Sequence, residues 1–357
     1  MERYVAVALQ PLMRGCNRRS EIKANIEHIA ELMAVAVNYS GTDFPVRLVA
    51  LPEGALQGFT DEIFDWPHER YAEEMAIDVP GEETNLLAEL ARHHNTYLIA
   101  QAKVRHPEFP RRFFNSAFIL SPTGEVIHQY YKLNVFQQEH SLVPHDVWDR
   151  WVELYGAGLN AFYPVAHTPI GRIGTIVCMD GSFPETARGL AMNGAEIIYR
   201  PSYPEPSVSS GLWEVQNRAR ALDNNCYVIA PNLANYHITP NSPTPIDCFG
   251  GQTMIIDYHG QILCVHTYGG SASYTAATID IQTLRDFRVR SLGTNWFKEL
   301  RTEQYRLIYD QPIYPKNLRL TQAPPDHAAH EKLRRELIEE LVERGTWAPP
   351  PRDPETS

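Results

Sequence analysis

The sequence has no run of about 18 apolar residues, the length a membrane-spanning helix needs, and no positively charged leader feeding an apolar stretch. Its five cysteines, at 16, 178, 226, 248 and 264, include no C-x-x-C pair and no zinc-type cluster, and their odd number does not suit a disulfide framework. These absences lead us to expect a reduced, cytoplasmic protein without a membrane partner. No G-x-G-x-x-G follows the first apolar run, no Gly-rich loop ends in Gly-Lys-Ser/Thr, and no H-E-x-x-H occurs. Dinucleotide, nucleotide and zinc-protease chemistry therefore lack their usual carriers, and we expect neither cofactor nor metal. Basic charge is also short: 32 Lys and Arg against 43 Asp and Glu leave a net charge of −11. That balance disfavours nucleic acid as a partner and says little against a small neutral substrate.

What is present reads as an α/β chain. Hydrophobic residues make up 43% and charged residues 21% of 357 positions, enough for one large core. An apolar strand from Tyr4, a helix with Ile22, Ile26, Ile29 and Met33 at helical spacing, and a strand over Val46–Leu51 open the chain as β-α-β. A helix over Glu82–His94 feeds a strand from Tyr97. The turn in Ser-Pro-Thr-Gly joins two antiparallel runs ending near Leu120 and starting near Glu125. From Asn134 to Tyr163 the periodicity is lost, as expected of a binding loop or lid. Further strands lie over Glu196–Tyr199, Tyr227–Ala230, Thr253–Asp257, Ile262–Thr267 and Tyr274–Ile279, with helices over Pro184–Asn193 and Gly211–Asn224. We expect one catalytic domain over residues 1–310. Residues 311–357 then form a proline-punctuated arm and a charged helix over His327–Glu343, packed on a partner subunit or on their own domain.

The segment GRIGTIVCMDGSFPE, Gly171 to Glu185, places Cys178 at the carboxyl end of a strand, before a turn whose amide groups can face an oxyanion. A buried structural thiol is the competing reading. Two other strand ends carry charge: Glu53 in LVALPEGALQG and Lys132 in HQYYKLNVF. A thiol needs a base, which Glu53 can supply from a desolvated pocket, and Lys132 can balance charge on an oxyanion. Each alone is more often a solvated end group; together they outline a site for acyl transfer.

These motifs, with RARALDNNCYVIAPN and FGGQTMIIDYHGQIL, resemble the nitrilase, or carbon–nitrogen hydrolase, superfamily over roughly residues 4–290. The resemblance implies a four-layer αββα sandwich with a Glu53-Lys132-Cys178 triad, here followed by an extended arm and helix. It implies a homodimer or larger homo-oligomer acting on a small-molecule amide. CMDG at the nucleophile, where nitrilases commonly have Cys-Trp-Glu, is similar to the aliphatic amidases and other amide-hydrolysing branches. Those branches use a second glutamate; Glu153 in WVELYGAG is our candidate and Glu139, seven residues after Lys132, its competitor. Substrate-binding candidates are Met179, Asp180, Arg200, Tyr203 and Trp151. Arg200 is either a clamp for an acidic carbamoyl substrate or a salt-bridged structural group, and the aromatics of the 134–163 loop either wall a pocket or form that loop's own core. Hydrolysis of a simple carboxamide is expected first, N-carbamoyl amine hydrolysis second, with a nitrilase or a catalytically silent binding protein behind them.

Overall fold

The computed structural model describes residues 2–202, 210–246 and 250–349. The first sheet is built from β1 (Tyr4–Gln10), β3 (Val46–Ala50), β4 (Tyr97–His106), β5 (Phe109–Leu120), β6 (Val126–Tyr131) and β14 (Ser273–Ile279). The second contains β7 (Val165–Thr168), β8 (Gly171–Thr175), β9 (Ile197–Tyr199), β10 (Tyr227–Ala230), β12 (Thr253–Ile256) and β13 (Ile262–His266). β2 (Met13–Arg14) and β11 (Tyr236–His237) form a short parallel pair. The two large sheets run β14-β1-β3-β4-β5-β6 and β13-β12-β10-β9-β8-β7. Each has a parallel trio, β1-β3-β4 and β8-β9-β10, flanked by antiparallel strands.

Period-two patterning assigns the two faces of the first sheet. On β1, Val5, Val7 and Leu9 join the core shared with the helices, while Tyr4, Ala6 and Ala8 join the core shared with the second sheet. On the helix side, α1 (Ile22–Ser40) buries Ile22, Ile26, Ile29, Met33 and Ala36, an alternation of three and four residues that draws one stripe. α2 (Thr60–Ile63), α3 (His68–Glu74) and α4 (Glu82–His94) complete this flank. α7 (Pro184–Met192), α8 (Leu212–Asn224) and α9 (Ile281–Arg290) bury residues in the second core, and α7 begins with its proline where a missing amide hydrogen costs nothing. The expected sandwich of helices around two sheets is present.

The 134–163 segment is more ordered than its sequence suggests. It holds α5 (Trp148–Tyr155) and α6 (Leu159–Phe162). Their aromatic residues supply the packing: Trp151 lies within ring contact of Phe109, Phe114, Tyr131 and Tyr155. α10 (Thr302–Arg306) and α11 (His327–Glu343) follow the sheets. The tail packs on its own chain: the Asn317 and Arg319 amides donate to the His145 and Asp146 carbonyls, and Arg334 donates to the carbonyls of Val135 and Gln137. No helix among the described residues is long and apolar enough to cross a membrane.

Candidate active site

Three reactive groups meet because they follow carboxyl ends of strands: Glu53 after β3, Lys132 after β6 and Cys178 after β8. Brought to one crevice between the sheets, Glu53 and Lys132 are almost wholly buried, whereas Cys178 keeps part of its surface. Lys132 Nζ donates to Glu53 Oε1 at 3.0 Å and to Glu139 Oε2 at 2.5 Å. Asn115 on β5 ties the same two carboxylates from the other side, its Nδ2 lying 2.8 Å from Glu53 Oε1 and 2.9 Å from Glu139 Oε1. Gln101 holds Asn115 by donating to its Oδ1 at 2.7 Å, and accepts in turn from the Gly54 amide beside Glu53. The second carboxylate is therefore Glu139.

Glu153 is elsewhere. It lies on α5 two positions after Trp151, about 200° around the helix, so burying Trp151 turns Glu153 outward. Its side chain is 68% exposed and pairs with Arg150 on the same helix. The expectation that Glu153 serves the site is thus corrected to Glu139, 1% exposed, which the turn after β6 folds back onto Lys132. The match between WVELYGAG and the family pattern was local; the signal for Glu139 was its nearness to Lys132 in sequence.

The two carboxylates are driven in opposite directions. Burial pushes Glu53 above the usual carboxylate range, and Lys132 offsets this only in part. Burial pushes Glu139 the same way, but Lys132 and then Lys103 outweigh it and hold Glu139 below its ordinary value. Glu139 is therefore the fixed anion and Glu53 the group with proton affinity to spare. Glu53 Oε2 is buried and has no hydrogen-bond partner among the described residues. Burial, then the charge of Glu53, raise the Cys178 thiol, with Lys132 and a hydrogen bond to Ser202 pulling the other way. The sulfur thus stays protonated at neutral pH and needs a base. A second buried knot adjoins the first: Lys103 Nζ reaches Asp61 Oδ2 at 2.6 Å and Glu62 Oε1 at 2.7 Å.

The backbone at the nucleophile is constrained. Cys178 sits at φ 48°, a left-handed conformation uncommon for a residue with a Cβ and often found at functional turns. Its amide donates to the Pro201 carbonyl at 2.8 Å. Asp180, expected to touch substrate, is fully buried and spent on this turn. It accepts from the Tyr130 hydroxyl at 2.7 Å, from the Leu133 and Asn134 amides at 3.1 and 2.8 Å, and from the Val177 amide at 3.0 Å. It thereby clamps the Lys132 strand end to the Cys178 turn. Arg200 is also behind the nucleophile: Nη1 lies 2.9 Å from Asn217 Oδ1, Nη2 contacts Gln216 and approaches the Cys178 carbonyl at 3.5 Å, and the guanidinium covers Trp213. A Cβ on Gly181 would fall 1.8 Å from Arg200 Nε, so only glycine admits this close approach. Arg200, our candidate clamp for an acidic substrate, is thus placed behind the Cys178 turn and not among the residues lining the cavity described next. Trp151, 3% exposed, belongs to the aromatic core of its loop rather than to a substrate wall. Tyr203 and Cys248 lie outside the described residues.

Beside the nucleophile opens a cavity of about 730 Å³. It is lined by Met179 and Ser141, by Trp148 and Phe162 of the 134–163 segment, and by Tyr314 and Arg334 of the tail. Met179 is the one substrate-binding candidate among the described residues that borders this space.

The chain has relatives on two levels. It is 31% identical over 235 residues to a formamidase of Bacillus cereus (strain Q1), a match covering 65% of this chain and 63% of the relative. A formamidase of Bacillus thuringiensis (strain Al Hakam) matches at 31% over 218 residues, 60% of this chain and 59% of its own length. The chain thus spans less than two thirds of these curated relatives. Saccharomyces cerevisiae Nit3, a member of branch 10 of the nitrilase superfamily, superposes with a TM-score of 0.63 at 22% identity, covering 82% of this chain and 96% of its own. The amidase of Nesterenkonia AN1 superposes with a TM-score of 0.62 at 17% identity, covering 85% and 97%. At such identities the structures speak for the fold, and the family assignment comes from the sequence: the carbon–nitrogen hydrolase family model matches residues 6–289, a stretch containing both sheets apart from the first two residues of β1 and every residue of the crevice named above, so the chain belongs to the carbon–nitrogen hydrolase family.

Proposed function

We propose that the protein is an amidase that hydrolyses a small carboxamide to a carboxylate and ammonia through a thioester on Cys178. The observation that carries this reading is the bare, buried Oε2 of Glu53 in a carboxylate whose proton affinity is raised by burial. Such an oxygen takes the Cys178 proton as sulfur attacks the carbonyl carbon. Lys132 and the amide of Met179 face the resulting oxyanion. Glu53 returns the proton to nitrogen, the C–N bond breaks and ammonia leaves. A water deprotonated by Glu53 then adds to the thioester, the C–S bond breaks, and the thiol regains the proton. Glu139 stays ionised throughout, keeping Lys132 charged and in place. No step requires a metal or cofactor.

The cavity is far larger than a formyl group needs and is within the range of sites for drug-sized ligands. We therefore place a substituted acyl group there, larger than the formyl group that the name formamidase of the Bacillus relatives would suggest. Arg319 and Arg334 also line the cavity, which keeps N-carbamoyl amino acids as a second reading. The large exposed side chains of Leu307 and Ile308, just before the tail, and of Ile313 within it support a homo-oligomer in which residues 311–357 meet a partner as well as their own chain. We place the protein in the cytoplasm.

The test pairs each amide with its nitrile and N-carbamoyl analogue and follows ammonia release, with intact-protein mass spectrometry of slow substrates. We expect amides to lead in kcat/KM and an acyl adduct on wild type that C178A lacks. An adduct that persists in C178A sinks the nucleophile assignment; a nitrile turned over faster than its amide sinks the substrate class.

A further inference from the structure

Next to Glu139, and outside the chemistry above, three side chains from distant parts of the chain converge. Asp65 follows α2, His140 follows Glu139, and His327 opens α11. One ligand atom from each lies within 4.8 Å of the others. His140 Nε2 is 3.1 Å from Asp65 Oδ1, and His327 Nε2 is 3.7 Å from the same oxygen. Zinc held at about 2.0–2.1 Å by nitrogen and oxygen in a tetrahedron sets its ligands about 3.3–3.4 Å apart, between those two distances.

We propose that Asp65, His140 and His327 form a binding site for a divalent transition-metal ion of the zinc class. Two imidazoles and one carboxylate select such an ion over magnesium or calcium, which prefer all-oxygen sites. The surroundings are arranged for it. His140 is 1% exposed, yet its Nε2 has no hydrogen-bond partner among the described residues and lies beside Asp65, placed to accept a metal ion if the ring carries its proton on Nδ1. His327 Nε2 lies 3.2 Å from the Gln138 carbonyl, a contact it exchanges for the metal by carrying its proton on Nδ1. One turn along α11, the buried His330 stands with its ring 6.0 Å from that of His140, its Nε2 likewise without a hydrogen-bond partner. The fourth position is left to water. An ion here ties the C-terminal helix to the loop carrying Glu139, so its occupancy holds the tail over the cavity.

The experiment uses the full chain carrying C178A, so that the nucleophilic sulfur cannot compete for metal. Zn²⁺ is titrated calorimetrically and Co²⁺ by its visible d–d absorption, with thermal unfolding recorded alongside. We expect one equivalent bound, an intense tetrahedral-type cobalt band and a raised Tm. Asp65 and His327 are partly exposed, so D65N and H327A should fold; each should weaken binding at least roughly tenfold and abolish the cobalt band. Affinity that survives either substitution, or no uptake by the parent at millimolar metal, overturns the site. Because no step reads turnover, failure here leaves the amidase assignment untouched, and the reverse holds as well.

Discussion

Replacing Glu139 by Gln tests the central correction, because the rival carboxylate Glu153 can be changed in the same way. Glu139 Oε2 is 2.5 Å from Lys132 Nζ, with both side chains 1% exposed, so the substitution removes one of the two charges that hold a buried ammonium. Breaking such a pair costs on the order of 3–5 kcal/mol when the remaining charge is stranded. Here Lys132 keeps Glu53 as a partner, so part of that cost is recovered, at the expense of Glu53: drawn harder to the ammonium, it becomes a weaker base. We expect E139Q to lose about 10²–10³ in kcat/KM, equivalent to about 2.7–4 kcal/mol of transition-state stabilisation. The exposed pair Arg150–Glu153 is worth no more than about 1 kcal/mol of stability and touches nothing in the crevice, so E153Q should stay within about twofold of wild type. Initial rates of ammonia release give both numbers, and thermal unfolding separates a folded E139Q from a collapsed one. Alkylation of Cys178 as a function of pH reads the basicity of Glu53 directly. A folded E139Q retaining more than about a third of wild-type kcat/KM, or an E153Q reduced tenfold, would refute the reasoning.

The same geometry makes other outcomes readable. Because burial raises Glu53, acidification protonates the folded base above its ordinary value of 4.5, so the acid limb of kcat/KM should lie on the neutral side of that value; a midpoint below it argues against Glu53 as base. His128 is buried against Thr175 and pushed from 6.5 to about 4. Below pH 6.5 the unfolded chain therefore binds this proton and the folded one does not, so stability falls as pH drops, by roughly 3 kcal/mol near pH 4; H128Q should flatten that part of a urea-denaturation series. R200K should lower kcat for acidic and uncharged amides alike, since lysine cannot reproduce the guanidinium's contacts behind Cys178; a KM increase confined to acidic substrates would restore the clamp. Truncation after Asp310 should raise KM by removing the tail residues that line the cavity, and sedimentation velocity on the same protein tests the arm's part in assembly; unchanged KM and unchanged assembly remove both roles.

The parts of the fold that were legible in sequence are those where a local period meets one solvent-facing side. α4 and α11 span Glu82–His94 and His327–Glu343, as their apolar spacing requires, and β10 covers Tyr227–Ala230. β4 runs on to His106 because both of its faces are buried and no alternation marks where it stops, whereas β5 starts at Phe109, where the exposed Pro110 and Arg111 hide a strand that only its pairing with β4 reveals. α3 and the 134–163 segment were opaque for another reason. Their order comes from contacts with residues far along the chain, such as Phe113 stacked on His68 and Trp151 within reach of Phe109, and no local pattern encodes those partners. At the site, Glu53, Lys132 and Cys178 were visible because each follows an apolar run and breaks it with a reactive group. Asn115 was not singled out, being an amide inside a strand whose importance lies in two carboxylates it joins from elsewhere.

That joining explains why two glutamates on one lysine need not be redundant. Asn115 and Lys132 each reach both Glu53 and Glu139, so neither contact alone distinguishes them. The distinction lies in what remains. Glu139 has both oxygens engaged, Oε1 by Asn115 and the Ser141 hydroxyl and Oε2 by Lys132, which stabilises its charge and leaves no site for an incoming proton. Glu53 has both bonds on Oε1, leaving the buried Oε2 without a hydrogen-bond partner among the described residues. A buried carboxylate oxygen without a partner is costly unless its partner arrives with the reaction. In the mechanism we propose, that partner is first the Cys178 proton, then the hydrolytic water. The asymmetry of hydrogen bonding, rather than the count of acidic groups, is what suits one glutamate to anchor Lys132 and the other to serve as the base of the proposed mechanism.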